Sequence, residues 1–301
     1  MSYIFLLIGF YMLIKGADAF VDSASSIAKK FGIPSIVIGM TIVAMGTSAP
    51  ELSVSITSSL AGMNDMSIAN VIGSNIFNVL VVLGACALFN KQVFTNYSDV
   101  WKLLFISMAL FLFCVNGAIS SIEGIGLLIM FGIYMYPMFK QKDTTQEPET
   151  YNNRPMFLSI ILGIAGLLGI IAGGNFVVDA ASEIAISLGM SENLVGLTIV
   201  AVGTSLPELV TSVIATRKGE TDIAIGNVFG SCIFNILLIL GCAATISPMI
   251  VSAVTFMDVI LMLVILMAFI LLTAKKQCVN KISGLIMIIM YVSYIAYTIV
   301  R

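Results

Sequence analysis

The chain reads as an all-α membrane protein whose ten transmembrane helices form two inverted five-helix repeats, with interrupted helices at the midplane. Three observations predict this. Of 301 residues, 59% are hydrophobic and 10% charged, where a soluble domain of ordinary composition is about a quarter charged. The apolar runs are continuous over roughly 18–25 residues, as spanning helices require, whereas barrel strands alternate over about ten. Residues 39–56, GMTIVAMGTSAPELSVSI, return at 196–213 as GLTIVAVGTSLPELVTSV, 157 positions on and identical at twelve of eighteen positions.

The first half places spans at about 3–28, 34–60, 66–90, 99–117 and 121–140, the second at about 156–187, 191–217, 221–246, 254–274 and 281–300. Between them lies one clearly polar stretch, QKDTTQEPETYNNRP at 141–155, whose prolines, acids and Thr/Asn residues mark a solvated linker. Residues 1–140 form the first repeat, with its motif at 39–84, and 156–301 the second, with its motif at 196–241. The register holds without a gap from Gly16 opposite Gly173 to Gly84 opposite Gly241, and sets ANVIGSNIFNVL (69–80) against GNVFGSCIFNIL (226–237). Hydrophobic helices converge on shared Leu and Val, not on a shared GTSxPEL, so the chain is a duplication. Five spans per half force the second repeat to enter the membrane from the opposite side. Membrane proteins built this way place their sites where interrupted helices of the two halves meet.

Lysine and arginine set the orientation. With both termini outside, the inner loops collect Lys29, Lys30, Lys91, Lys102, Lys140, Lys142, Arg154, Arg217, Lys218, Lys275, Lys276 and Lys281, twelve of the fourteen basic residues. The outer loops receive Asp65, Glu123, Glu192, and Glu220 or Asp222. A multi-pass cell-membrane protein with the linker inside follows. The N-terminus lacks a positively charged leader region, so the first span reads as retained. The five cysteines form no CxxC pair and read as packing residues, and no basic cluster points to nucleic acid.

The chemistry gathers in the repeated motif. Glu51 and Glu208 each stand inside an apolar segment of spanning length, where a charge is costly and marks a functional site by default. Pro50 and Pro207 cannot donate to the carbonyls of Gly46 and Gly203, so each helix is interrupted there. Freed carbonyls survive in a membrane only where protein or a wet cavity supplies a partner. Thr47 and Ser48 precede Glu51 by four and three positions, one helical face, and Thr204 and Ser205 precede Glu208 likewise. Asn70, Ser74 and Asn78 recur every fourth residue, as do Asn227, Ser231 and Asn235, with Gly73 and Gly230 beside them for close helix approach. Carboxylate, hydroxyl, amide and carbonyl oxygens together suit a hard cation such as Ca²⁺ or Na⁺.

Serine, threonine and asparagine in membrane helices often only bond across helices. The glutamates differ: the chain has no histidine, and no Lys or Arg lies in either motif segment. An unpaired buried carboxylate takes a proton unless a cation balances it. Two carboxylates match one divalent or two monovalent ions, and a site that cannot comfortably stay empty has the electrostatics of an exchanger. The other acids read as peripheral. Asp22 and Asp179 fall near the cytoplasmic ends of spans one and six, Asp22 within reach of water, Lys29 or a helix N-terminus. Asp99, Asp258 and Glu123 sit at span ends in water.

Two copies of G-T-S-x-P-E-L, each followed after about twenty residues by G-S-x-I-F-N, resemble the repeats of the cation/calcium exchanger superfamily, and within it the prokaryotic sodium/calcium exchangers. The proton/calcium branch carries G-N-x-x-E where this chain has GTSAPE and GTSLPE. The resemblance implies a secondary antiporter in the bilayer, not an enzyme, that exchanges Ca²⁺ for Na⁺ without a cofactor; each ten-span chain reads as a complete transport unit, which predicts a functional monomer. It implies Glu51 and Glu208 as central ligands, completed by Thr47, Ser48, Thr204 and Ser205. Carbonyls of Ala44 and Ala201, with Ser74 and Ser231, would serve flanking Na⁺ positions, and Asn78 and Asn235 would line the centre. Spans one and six would slide as a pair to alternate access. Asn235 stands where several relatives carry Asp, and Cys232 stands where the first repeat has Asn75. A linker of about fifteen residues leaves no room for the regulatory calcium-binding domains of animal exchangers. The rivals are a proton-coupled antiporter on the same scaffold, a passive cation channel, and an intramembrane enzyme. The last is disfavoured by the absence of histidine.

Overall fold

The structure, a computed structural model, describes residues 1–90, 92–94, 97–138, 140, 155–191, 195–275 and 277–300. Helix α1, Ser2–Phe31, carries Lys29 and Lys30 in its last turn and stops at Gly32, whose φ of 61° is left-handed. Pro34 precedes α2, Ser35–Thr47, which includes a π-helical turn at Gly39–Val43. The chain breaks at Ser48 and resumes as α3, Ala49–Leu60, at a bend of 49°. Pro50 lies in the first turn of α3, where a missing N–H costs no helical bond, so the proline opens the second piece as it ends the first. Then follow α4 (Asn64–Phe89), π-helical at Asn78–Val82, α5 (Tyr97–Cys114), α6 (Ser121–Met138) and α7 (Met156–Ser187).

The second copy of the motif is described as a π-helical turn at Gly196–Val200, a short helix at Ala201–Gly203, and α8, Leu206–Arg217, with Pro207 in its first turn. Helices α9 (Thr221–Ile246, π-helical at Asn235–Leu240), α10 (Ala253–Thr273) and α11 (Lys281–Val300) complete the bundle. Among the described residues, eight helices are long and apolar enough to cross a membrane, and the bent pair α2–α3 makes nine. The molecule is a multi-pass helical membrane protein. In the expected span at 191–217, residues 192–194 lie outside the described residues, as do 141–154 of the expected linker and Lys91, Lys142, Arg154, Glu192, Lys276 and Arg301.

Two packings position the centre. Helices α1 and α7 form the most extensive pairing among the described residues. They touch backbone to backbone: a Cβ on Gly16 would stand 2.7 Å from Gly166 O, and one on Gly166 2.7 Å from Gly16 O. Small residues let membrane helices approach this closely. Helix α9 presses on α2 in the same way, a Cβ on Gly230 meeting Met40 Cα at 2.7 Å. Gly73, expected to do likewise, has open space around it. The most deeply buried spans are α4 and α9, so the Ser/Asn motifs occupy the middle of the bundle.

Two short antiparallel strand pairs tie the halves together at the loops. Strand β1 (Gln92–Phe94) pairs with β4 (Cys278–Asn280), and β2 (Ala118–Ile119) with β3 (Met249–Ile250). Two or three residues are too few to show a strand period, and the sequence gives no sign of them.

The peripheral acids differ from expectation. Asp99 and Asp258 are buried, 3% and 4% exposed. Asp99 bonds Lys102 at 2.8 Å on its own helix, and the long lysine stem carries the charge outward. Glu220 belongs to the same end of the molecule as Lys29, which it meets at 3.1 Å, and it accepts the Ser25 hydroxyl at 2.5 Å. It is not an opposite-face acid. Asp22 finds Lys218 at 2.5 Å, with Asp18 on the same amine at 2.7 Å. Asp179 lies at the other end, one turn from Glu183, which accepts the Ser2 hydroxyl at 2.7 Å. Asp22 and Asp179 therefore do not share a face.

Candidate ion-binding site

The two glutamates arrive at the centre because each starts the helix that follows a break. Glu51 lies in the first turn of α3 and Glu208 in that of α8, where the positive end of a helix favours a carboxylate. Both are fully buried.

A bend of 49° at Ser48 interrupts the helix that carries Thr47 and Ser48 toward Glu51. Their hydroxyls cross to the other half. Ser48 donates to Glu208 Oε1 at 2.9 Å, and Thr47 lies 3.0 Å from Asn227 Oδ1. In return Ser205 donates to Glu51 Oε1 at 3.2 Å. Each carboxylate also takes a hydroxyl from its own half: Ser74 on Glu51 Oε1 at 3.1 Å and Ser231 on Glu208 Oε1 at 3.5 Å. Ser74 and Ser205 stand 2.8 Å apart. The halves thus interlock through their active carboxylates.

Asn70 and Asn227 act as braces. Asn70 donates to Ser55 at 3.1 Å and to Glu51 O at 3.3 Å, while Asn227 donates to Ser212 at 2.9 Å and to Glu208 O at 3.5 Å. Ser55 and Ser212, the hydroxyls that the sequence sets one turn beyond each glutamate, each precede their asparagine by fifteen positions. Asn75 is the residue that the sequence left without a role: its Oδ1 accepts from Asn235 Nδ2 at 3.0 Å, and the same Nδ2 reaches Ser74 at 3.3 Å. Ala44 O accepts the Ser48 N–H at 3.0 Å and lies 3.3 Å from the Thr47 hydroxyl. Ala201 opens the short helix Ala201–Gly203.

What remains unused is informative. Glu51 Oε2, Glu208 Oε2, both side-chain atoms of Asn78, Asn235 Oδ1 and Thr204 Oγ1 are buried without a hydrogen-bond partner. Leaving such groups unmade costs about 1–3 kcal/mol each, more for charged groups, and a cluster of them needs a reason. No described Lys or Arg pairs with either glutamate. Nor do three His, Cys, Asp or Glu gather anywhere among the described residues, so a cation here would take hydroxyl and amide oxygens beside the two carboxylates. The unpartnered atoms are nearly all oxygens, the donor set of a hard cation. The four π-helical turns among the described residues flank this region, in matched positions of the two halves, and such turns recur at functional sites.

An all-helical membrane bundle with an acidic, oxygen-lined centre defines a class of protein that handles cations within the bilayer. The chain belongs to the sodium/calcium exchanger protein family, whose model matches residues 1–140 and 158–300. It is 36% identical to the inner membrane protein YrbG of Escherichia coli over 90% of this chain and 88% of that one. It is 31% identical to the sodium/calcium exchanger MaX1 of Methanosarcina acetivorans over 98% and 97%. Among solved structures it resembles the sodium-calcium exchanger NCX_Mj soaked with zero Na⁺ and Ca²⁺, with a TM-score of 0.86, 30% identity and coverage of 98% of both chains.

Proposed function

We propose that the protein is a secondary active antiporter that exchanges Ca²⁺ for Na⁺ by alternating access, with both ions as substrates and no resident cofactor. The observation that carries this reading is the pair of fully buried glutamates, each with one oxygen satisfied by hydroxyls and the other unpartnered. Glu51 and Glu208 hold the ion. Thr204, Asn78 and Asn235 offer it free oxygens, and Ser48, Ser205, Ser74 and Ser231 fix the carboxylates while lending lone pairs. Thr47, bonded to Asn227, braces the set, and the carbonyls of Ala44 and Ala201 extend it to flanking Na⁺ positions. Charge balance then gives exchange: an empty centre leaves two carboxylates uncompensated, so the protein crosses between its two open states loaded.

The ten-span inverted-repeat topology, with termini outside and residues 141–155 inside, belongs to the same reading. It is supported by the 157-residue register and by the sorting of basic residues. The α1–α7 pair, joined through glycines, is the natural body to move, and one chain holds a complete site.

The test is uptake of radiolabelled Ca²⁺ into proteoliposomes loaded with Na⁺. Uptake is expected to require the outward Na⁺ gradient and to vanish in Glu51→Gln and in Glu208→Gln. Uptake indifferent to Na⁺ but driven by a pH gradient would assign the same site to proton coupling. Wild-type uptake in both variants would dismiss the glutamates as the ion site.

A further inference from the structure

The glycine of each GTS motif is not there for its backbone freedom. Gly46 and Gly203 lie in helical stretches, Ala44–Thr47 and Ala201–Gly203, and neither has a positive φ. What they supply is clearance toward the α1–α7 pair. A Cβ on Gly203 would overlap Val178 Cγ2, with Val178 Cβ 3.3 Å away behind it. That side chain is branched at its root and cannot turn aside. A Cβ on Gly46 would meet only side-chain tips, Leu167 Cδ1 at 3.0 Å and Phe20 Cζ at 3.3 Å. The glycines are 157 positions apart, yet their neighbours do not follow that register. Val178 corresponds to Val21, and Leu167 and Phe20 correspond to Phe10 and Val177. The α1–α7 pair is therefore seated unequally between two matched helix breaks, with a valine wedged at one of them.

We propose that Gly46 and Gly203 are positioning residues for the α1–α7 pair, each admitting a valine in one of the two access states. In the state seen here, with Lys218 fastened to Asp18 and Asp22, Val178 fills the gap at Gly203. In the opposite state the halves exchange roles: Val21 fills the gap at Gly46, and Gly203 faces Phe10 and Val177. This rests on alternating access through an inverted repeat, as proposed above. A methyl group added at either glycine overpacks one state more than the other, and overpacking is enough to move a two-state balance about tenfold.

The experiment reads the Ca²⁺ KM of the full-length protein from each face, in right-side-out against inverted vesicles, with thermal unfolding alongside. Gly203→Ala is expected to shift the ratio of the two KM values about tenfold in one direction. Gly46→Ala is expected to shift it in the other, and the double variant Gly46→Ala/Gly203→Ala to return it toward the wild-type value. Val178→Ala should restore the ratio in Gly203→Ala. Val21→Ala should restore it in Gly46→Ala, although Leu167 and Phe20 are the nearer side chains here. Static packing gives a different result: a lower unfolding temperature with an unchanged ratio, and rescue of Gly46→Ala by Leu167→Ala instead. Either of those, or shifts in the same direction, overturns the proposal. Should Gly203→Ala not reach the membrane, Val178→Ile and Val21→Ile crowd the same gaps from the moving side and must still shift the ratio in opposite directions. Wild-type uptake that follows a pH gradient would sink Na⁺ coupling alone, and the KM ratios would still be read under that gradient. A wild type that takes up no Ca²⁺ sinks both readings.

Discussion

Thr47 and Thr204 occupy matched positions with opposite bonding. The Thr47 hydroxyl lies 3.0 Å from Asn227 Oδ1, whereas that of Thr204 has no partner. Replacing each by valine should separate structure from ion handling. Thr47→Val strands a buried amide oxygen and is expected to lower stability by about 1–3 kcal/mol, measured by thermal unfolding in detergent. Thr204→Val removes nothing that the protein itself uses, so its stability should hold while the KM for Na⁺ rises in exchange assays. Both hydroxyls look alike in GTSAPE and GTSLPE, because the motif does not say which asparagine lies opposite.

At the scale of elements, the moving pair proposed here is fastened at one end. Lys218, just past α8, holds Asp18 and Asp22 of α1 at 2.7 and 2.5 Å, and Lys29 of α1 holds Glu220 at 3.1 Å. The 157-residue register puts Ala61 opposite Lys218, Met63 opposite Glu220 and Ile186 opposite Lys29, so the other end lacks these partners. Ser182, opposite Ser25, correspondingly leaves its hydroxyl unpartnered. Exposed pairs contribute about 0–1 kcal/mol each, which is enough to bias two access states severalfold, since 1.4 kcal/mol is about tenfold. Lys218→Ala should thus shift the ratio of Ca²⁺ KM values measured from the two faces, in right-side-out against inverted vesicles. The charge-swapped variant Asp22→Lys/Lys218→Asp should bring the ratio back. An unchanged ratio in Lys218→Ala would show that these pairs do not hold either state.

At the scale of the molecule, orientation is the property most directly open to test. If both termini lie outside and residues 141–155 inside, a fluorescent protein fused after Arg301 should stay dark and an alkaline phosphatase fused there should be active. The same reporters inserted at residue 147 should give the reverse. Matching signals at both positions would remove the odd span count per half, and with it the inverted repeat.

Much of this was legible in the chain. The duplicated GTSxPE, the glutamates without counter-ions and the proline break are local: proline removes a donor wherever it sits, and a carboxylate in an apolar run is costly whatever surrounds it. Spacing could place Thr47 and Ser48 four and three positions before Glu51, but it could not show that a 49° bend turns those hydroxyls to the other glutamate. Likewise, the sequence alone could not join Asn235 to Asn75 and Ser74, nor seat Glu220 on Lys29 or bury Asp99 and Asp258. Helical periodicity assigns a residue to a face. Which helix that face meets depends on bends and on glycine-permitted contacts between segments far apart in sequence, such as Gly16 with Gly166 and Met40 with Gly230, and only the assembled bundle decides those.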